Sequence, residues 1–224
     1  MNIKTITEQI KEFDGLLNIY NESKWGAMDE HTKKYSAFND AGVECEVGEF
    51  LYAFMRLIKP SFVLETGTHQ GVSSSYMAYG LKNNGFGKLH THEFNHENHS
   101  ISNQRFNRLG LADYITSFLG DVGKLQLDVE YDFIFLDTEP QTRFAELVKF
   151  YPNLKEGGYF FIHDLHRHMS QVPNEEHGFG SPYGLIPKEM NDLVLNKKLV
   201  PFHYETPRGL TMFYKPKFSD YIWI

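Results

Sequence analysis

A chain of 224 residues, 41% hydrophobic and 23% charged, has the composition of one ordinary globular unit with a full-sized core. Its net charge of −7 weighs against a nucleic-acid backbone as the main partner, and its single cysteine, Cys45, excludes an internal disulfide and fits a reducing compartment. No apolar run approaches the length of a membrane span, and the first residues lack the apolar stretch of a signal peptide. The expectation is therefore a soluble, cytoplasmic protein with a small-molecule partner, and neither a nucleic acid nor a membrane.

In chain order, residues 3–20 carry Ile3, Ile6, Ile10, Phe13, Leu16, Leu17 and Tyr20 near helical spacing. This predicts an N-terminal helix packed over the domain or against a second subunit of a homodimer. Residues 21–40 are polar and aperiodic, either a solvated connector or an active-site cover. Val47, Phe50, Leu51, Phe54, Met55 and Ile58 share one helical face, and Pro60 stops that helix because proline cannot continue it. A strand at 62–64, a glycine turn and a helix to about Leu81 come next. Further strands are expected at 88–92, 114–119, 131–136 and 159–162, with helices at 95–109 and 142–154. The run 131–136 is almost wholly apolar, as a central parallel strand should be. A helix at 186–195 precedes a hairpin of 199–204 with 210–214. This order describes an α/β fold: a Rossmann-like, doubly wound, mainly parallel seven-stranded sheet with a C-terminal antiparallel hairpin.

The chemistry concentrates at residues 61–76. Gly67 and Gly71 let backbone approach a ligand with no Cβ in the way, and a helix opening at 71–75 aims free N–H groups over the turn. Glu65, at the strand end, adds an acceptor to the same crevice. A ligand with an anionic end and a cationic amine, such as an amino-acid moiety, suits that combination. Glu93 lies 22 positions after Gly71, where a doubly wound sheet places a carboxylate for ribose hydroxyls; capping the next helix is its other reading. Asp137 ends the strand at 131–136, and His163 and Asp164 follow the strand at 159–162, with His166 and His168 just beyond. An imidazole titrates near neutral pH and could take a proton from a substrate hydroxyl, so His163, Asp164 and His166 are the catalytic candidates. No Ser-His-Asp or Cys-His constellation is present.

The pattern Glu65-x-Gly67-x-x-x-Gly71 resembles the first motif of class I S-adenosylmethionine-dependent methyltransferases and lacks the middle glycine of the dinucleotide fingerprint. With Glu46, Val47 and Gly48 ahead of it, the segment is similar to the catechol-type O-methyltransferases and to the small O-methyltransferases of family 24. The resemblance implies S-adenosylmethionine as cofactor, residues 46–224 as the methyltransferase domain, and residues 1–45 as a helical extension. It implies that the Val47 backbone, Glu65, Gly67, Thr68, Gly71 and Ser73 hold the methionine part, with Glu93 on the ribose, Gly120 and Asp121 at the adenine edge, and Asp137 bordering the same site. In the catechol type an Asp after the fourth strand and an Asp-Asn pair after the fifth bind magnesium, and a nearby Lys is the base. Asp137 and Asp164 match the two aspartates, which keeps Mg²⁺ or another divalent cation among the expectations. Leu165 replaces the Asn, and no Lys follows Asp137. The implied reaction is O-methylation of a small molecule at a sugar or phenol-like hydroxyl. A non-methylating, hydroxylase-like metal-dependent relative and a non-catalytic nucleoside-binding protein are the two other readings.

Overall fold

The computed structural model describes residues 4–14, 17–21, 34–39, 41–165, 188–204, 206–217 and 219. Helix α1 (Ile6–Asp14) leads to an antiparallel ribbon of β1 (Asn18–Asn21) and β2 (Lys34–Ala37). Then follow α2 (Cys45–Ile58), β3 (Phe62–Thr66), α3 (Val72–Asn84), β4 (Lys88–Glu93), α4 (His96–Arg108), β5 (Ile115–Leu119) and β6 (Tyr131–Leu136). The chain ends through α5 (Pro140–Phe150), β7 (Leu154–His163), α6 (Lys188–Leu195), β8 (Val200–Tyr204) and β9 (Leu210–Tyr214). Seven of the strands make one sheet in the order β5-β4-β3-β6-β7-β9-β8, parallel except that β9 pairs antiparallel with both β7 and β8. The expected doubly wound sheet with its terminal hairpin is what the chain forms.

Strand periodicity decides where the core lies. Val63, Phe133, Phe135 and Phe161 point to one face, where they pack with Ile6, Ile10, Leu51, Met55 and Tyr76. Their neighbours Leu64, Ile134, Leu136, Phe160 and Ile162 point to the other, against Phe144, Leu147 and Met190. Helices on both faces are what allow these central strands to be apolar throughout. Helix α3 is buried from Val72 to Leu81, so it is wrapped by α1 and α2 rather than laid on the surface.

Three boundaries differ from the sequence expectation. Residues 3–20 are not one helix. It ends at Asp14, and 18–21 are extended, with Ile19 and Tyr20 paired to Ser36 and Tyr35 across a ribbon, as β-formers can be. The helix expected over 142–154 stops at Phe150; Pro152 sits in a 3₁₀ turn, Tyr151–Asn153, and Leu154 already belongs to a strand. The Gly157-Gly158 pair, expected as a helix exit, lies inside β7, where the register against β6 jumps from Tyr131↔Leu154 to Phe133↔Tyr159.

Candidate active site

The strand order reverses at β3, which has β4 on one side and β6 on the other. The carboxyl ends of such strands open a crevice suited to a ligand. Gly67, Thr68 and His69 after β3, Ser73 in α3, Asp137 after β6 and the segment 41–43 before α2 line it.

On the β3–β4 side, carboxylates meet neutral donors. Glu65 is fully buried: its Oε1 accepts from Ser73 Oγ at 2.5 Å, and its Oε2 accepts from Thr91 Oγ1 at 2.6 Å and from Ser74 Oγ. Burial pushes its pKa up to about 7, although the hydroxyl donors favour the charged form. With the Thr91 proton on Glu65, Thr68 Oγ1 is left to donate to Thr91 Oγ1 at 2.5 Å. Glu65, Thr68 and Ser73 are therefore brought together, and their side chains brace the turn from beneath. The two glycines answer to the protein's own packing. Gly67, at φ 86°, would drive a Cβ into the Asp137 carbonyl, and Gly71, at φ 79°, would place one 2.6 Å from Phe106 Cε1. Gly71 is the N-cap of α3 and no side chain caps that end, so first-turn N–H groups are left for a ligand.

Glu93 ends β4 with its carboxylate fixed by two backbone amides, His69 N–H to Oε2 at 2.7 Å and Asn95 N–H to Oε1 at 2.8 Å. Its neighbour Phe94 leaves 75% of its surface exposed at the same end of the sheet. Asp121 follows β5, accepts Gly123 N–H at 2.8 Å and lies 3.8 Å from Lys124 Nζ, with most of its side chain exposed. Val47 sits inside the first turn of α2 with its side chain in the core, and 41–43 line the crevice on that side.

On the β6–β7 side, carboxylates meet formal charges. His163, the last residue of β7, is fully buried with Nε2 2.6 Å from Glu44 Oε2 and Nδ1 3.1 Å from Asp137 Oδ1. Asp164 Oδ1 lies 3.4 Å from the same Nδ1. Burial pulls the imidazole down, but the carboxylates of Asp164, Asp137 and Glu44 together outweigh it and raise it to about 10. Arg143, from α5, places Nη2 3.1 Å from Asp137 Oδ1 and Nη1 3.0 Å from Asp164 Oδ2, and it also donates to the carbonyls of Thr138 and His163. Arg208, from the β8–β9 turn, sets Nε 2.9 Å from Asp164 Oδ1 and Nη2 3.1 Å from Asp164 Oδ2. It also donates to Gly42 O at 2.9 Å, and its backbone N–H to Glu44 Oε1 at 2.8 Å. Burial alone would raise the pKa of Asp164 and Glu44; His163 and Arg208, with Arg143 at Asp164, hold both below the usual carboxylate range. Asp164 takes a left-handed backbone, φ 57°, and its ion pairs hold it there. His166 lies outside the described residues.

Asp137, His163 and Asp164 each bring a ligand-type atom within 4.8 Å of the others, the spacing of a metal-binding trio. That space is already filled with cationic nitrogen. Three carboxylates face two guanidinium groups and an imidazolium, and a divalent ion would add two uncompensated charges to a buried, balanced cluster. The residues present do not fit a metal. Glu44 and Arg208 escape a reading of motifs because their partners lie 119 and 44 positions away, and Arg143, close in the chain to Asp137, meets Asp164 only when β7 packs beside β6.

Residues 64–165 match the family model described as a methyltransferase domain. A Mycobacterium sp. (strain KMS) protein named "Putative O-methyltransferase" is 29% identical over 121 residues, covering 52% of this chain and 54% of the relative. The chain thus spans about half the length of the curated relatives it matches. Among solved structures, the O-methyltransferase TomG of Streptomyces achromogenes, involved in tomaymycin synthesis and bound to S-adenosylmethionine, superposes with a TM-score of 0.66 at 15% identity, covering 97% of this chain and 92% of that one. An O-methyltransferase from Bacillus cereus in complex with S-adenosylhomocysteine gives 0.63 at 16%, covering 96% and 93%. No helix among the described residues is long and apolar enough to cross a membrane. Residues 64–165 are thus similar to a methyltransferase domain, and the chain shares the fold of these solved O-methyltransferases.

Proposed function

We propose that this chain is an S-adenosylmethionine-dependent methyltransferase that methylates a hydroxyl oxygen of a small molecule, sugar or phenol-like, in the cytoplasm. The observation that carries it is Glu93: a carboxylate at the end of β4, the strand next to the switch point of the sheet, pinned by two backbone amides beside an exposed aromatic ring. Each oxygen keeps a lone pair for a ribose hydroxyl, and Phe94 offers its face to an adenine, with Asp121 at the ring's edge. The uncapped start of α3 suits the carboxylate of the methionine part, and Asp137 its ammonium. Glu65, Thr68 and Ser73 act one layer down, holding the turn that shapes this pocket.

Bound there, S-adenosylmethionine would supply a methyl already activated by its sulfonium, leaving the electron pair on sulfur, to an acceptor hydroxyl whose proton would leave to water. The chain's own work is alignment and exclusion of solvent. In this reading His163 is a fixed charge and not a base, because both ring nitrogens already face carboxylates. It orients Asp137 together with Arg143. The experiment is calorimetry of the purified chain with S-adenosylhomocysteine, beside Glu93→Ala. Binding by the parent chain and at least a tenfold loss in the variant is the expected result; no binding by a folded parent chain rejects the proposal.

A further inference from the structure

We propose that Arg143 and Arg208 occupy the place of the divalent cation expected from the catechol type, so that this site works without a metal and takes its fixed positive charge from α5 and the β8–β9 turn. The functional half of this inference rests on the methyltransferase reading; the placement of the arginines does not.

The two guanidinium groups do what a bridging ion would do. Arg143 spans Asp137 and Asp164 with its two Nη atoms, at 3.1 and 3.0 Å, and Arg208 hydrogen-bonds Asp164 Oδ2 through Nη2 at 3.1 Å, while its Nε lies 2.9 Å from Oδ1 as a charge contact without hydrogen-bond geometry. A planar fork on a carboxylate fixes its orientation as well as its charge, which a flexible ammonium would not. Neither arginine is a surface chain that has swung inward. Both are buried, and their remaining N–H groups satisfy the carbonyls of Thr138, His163 and Gly42, so withdrawing either one would orphan buried backbone acceptors. The residue after Asp164 agrees. Leu165 stands where the catechol type supplies an Asn ligand, and its side chain is buried in the core with Ile162 and Phe213.

Two consequences follow. Asp137 lines the crevice, so Arg143 is a positioning residue for the carboxylate nearest the reacting end. Arg208 ties Gly42 and Glu44 to Asp164, so the same group that supplies the charge also fixes the wall formed by 41–43. An acceptor with two adjacent oxygens gains nothing here, because no open cation is left to chelate them.

The test is titration of the purified chain with Mn²⁺, followed by the electron paramagnetic resonance signal of the free ion, with Arg208→Met and Arg143→Met alongside. The parent chain should leave the signal undiminished, and a folded methionine variant, with aspartate oxygens released and one positive charge lost, should take the ion up. Stoichiometric uptake by the parent chain, abolished in Asp137→Asn, would overturn the proposal, and so would folded methionine variants that bind none. If both variants fail to fold, the parent titration still decides. Calorimetry with S-adenosylhomocysteine, with and without EDTA, runs on the same samples. Affinity unchanged by EDTA supports the proposal and affinity lost overturns it, whereas no binding in either condition rejects the methyltransferase reading and leaves the Mn²⁺ result to judge the arginines.

Discussion

On the β3–β4 side of the crevice, Glu65 and Glu93 are held by hydroxyls and backbone N–H groups, and Glu65 finds its donors only 8, 9 and 26 positions away. On the β6–β7 side, Glu44, Asp137 and Asp164 are held by an imidazolium and two guanidinium groups, with separations of 119 between Glu44 and His163 and 44 between Asp164 and Arg208. Neutral donors leave a carboxylate lone pairs to offer a ligand. Buried charges must be matched by charges, and of these matched groups only Asp137, which lines the crevice, still faces a ligand. One side is thus built to receive; the other is built to hold its shape, and it assembles only when the hairpin turn and the segment ahead of α2 dock onto the sheet.

Removing a charge should separate the two sides most clearly. Asp164→Ala leaves two guanidinium groups and His163 without their shared partner and should cost about 3–5 kcal/mol in urea unfolding. A loss below that of an ordinary hydrogen bond would mean the cluster is more hydrated than its burial implies. Gly67→Ala strains a left-handed backbone against the Asp137 carbonyl, where the two sides touch. It should cost about 1–3 kcal/mol and weaken S-adenosylhomocysteine binding as well. Ser73→Ala removes one of three hydroxyl donors from Glu65 and should cost only about 1–2 kcal/mol, since Ser74 and Thr91 remain.

The mildest probe is pH. His163 in the folded chain sits near 10, above its ordinary 6.5, so its stabilisation is complete below 6.5 and is lost as pH rises through 10. The melting-temperature gap between the parent chain and His163→Gln should therefore narrow over that window. A constant gap would mean that the imidazole is neutral and the charge balance is wrong.

The same contrast explains what could be read in the sequence. Strand ends, glycine turns and the Glu65-to-Gly71 pattern depend on neighbours a few positions apart, so the sheet, the hairpin and the crevice were legible. Glu93 was legible too, because its distance from the glycine turn follows from one strand–helix–strand unit. Arg143 looks like any arginine on a helix and Arg208 like any turn residue, since nothing local marks a partner that only the tertiary fold supplies. Glu46, Val47 and Gly48, expected as a turn from the resemblance, lie in the first turn of α2, which begins at Cys45, and 41–43 line the crevice just ahead of it. At the N-terminus, Tyr20 fits a helical face and a strand equally well, and pairing with β2 decides between them.

The most direct measurement is a crystal structure of the chain grown with S-adenosylhomocysteine and Mn²⁺, using the anomalous signal of manganese. The account predicts ribose hydroxyls on Glu93, adenine over Phe94, and no manganese between Asp137 and Asp164, with Arg143 and Arg208 in place. Manganese bound to those aspartates with the arginines displaced, or the nucleoside lodged away from Glu93, would contradict it.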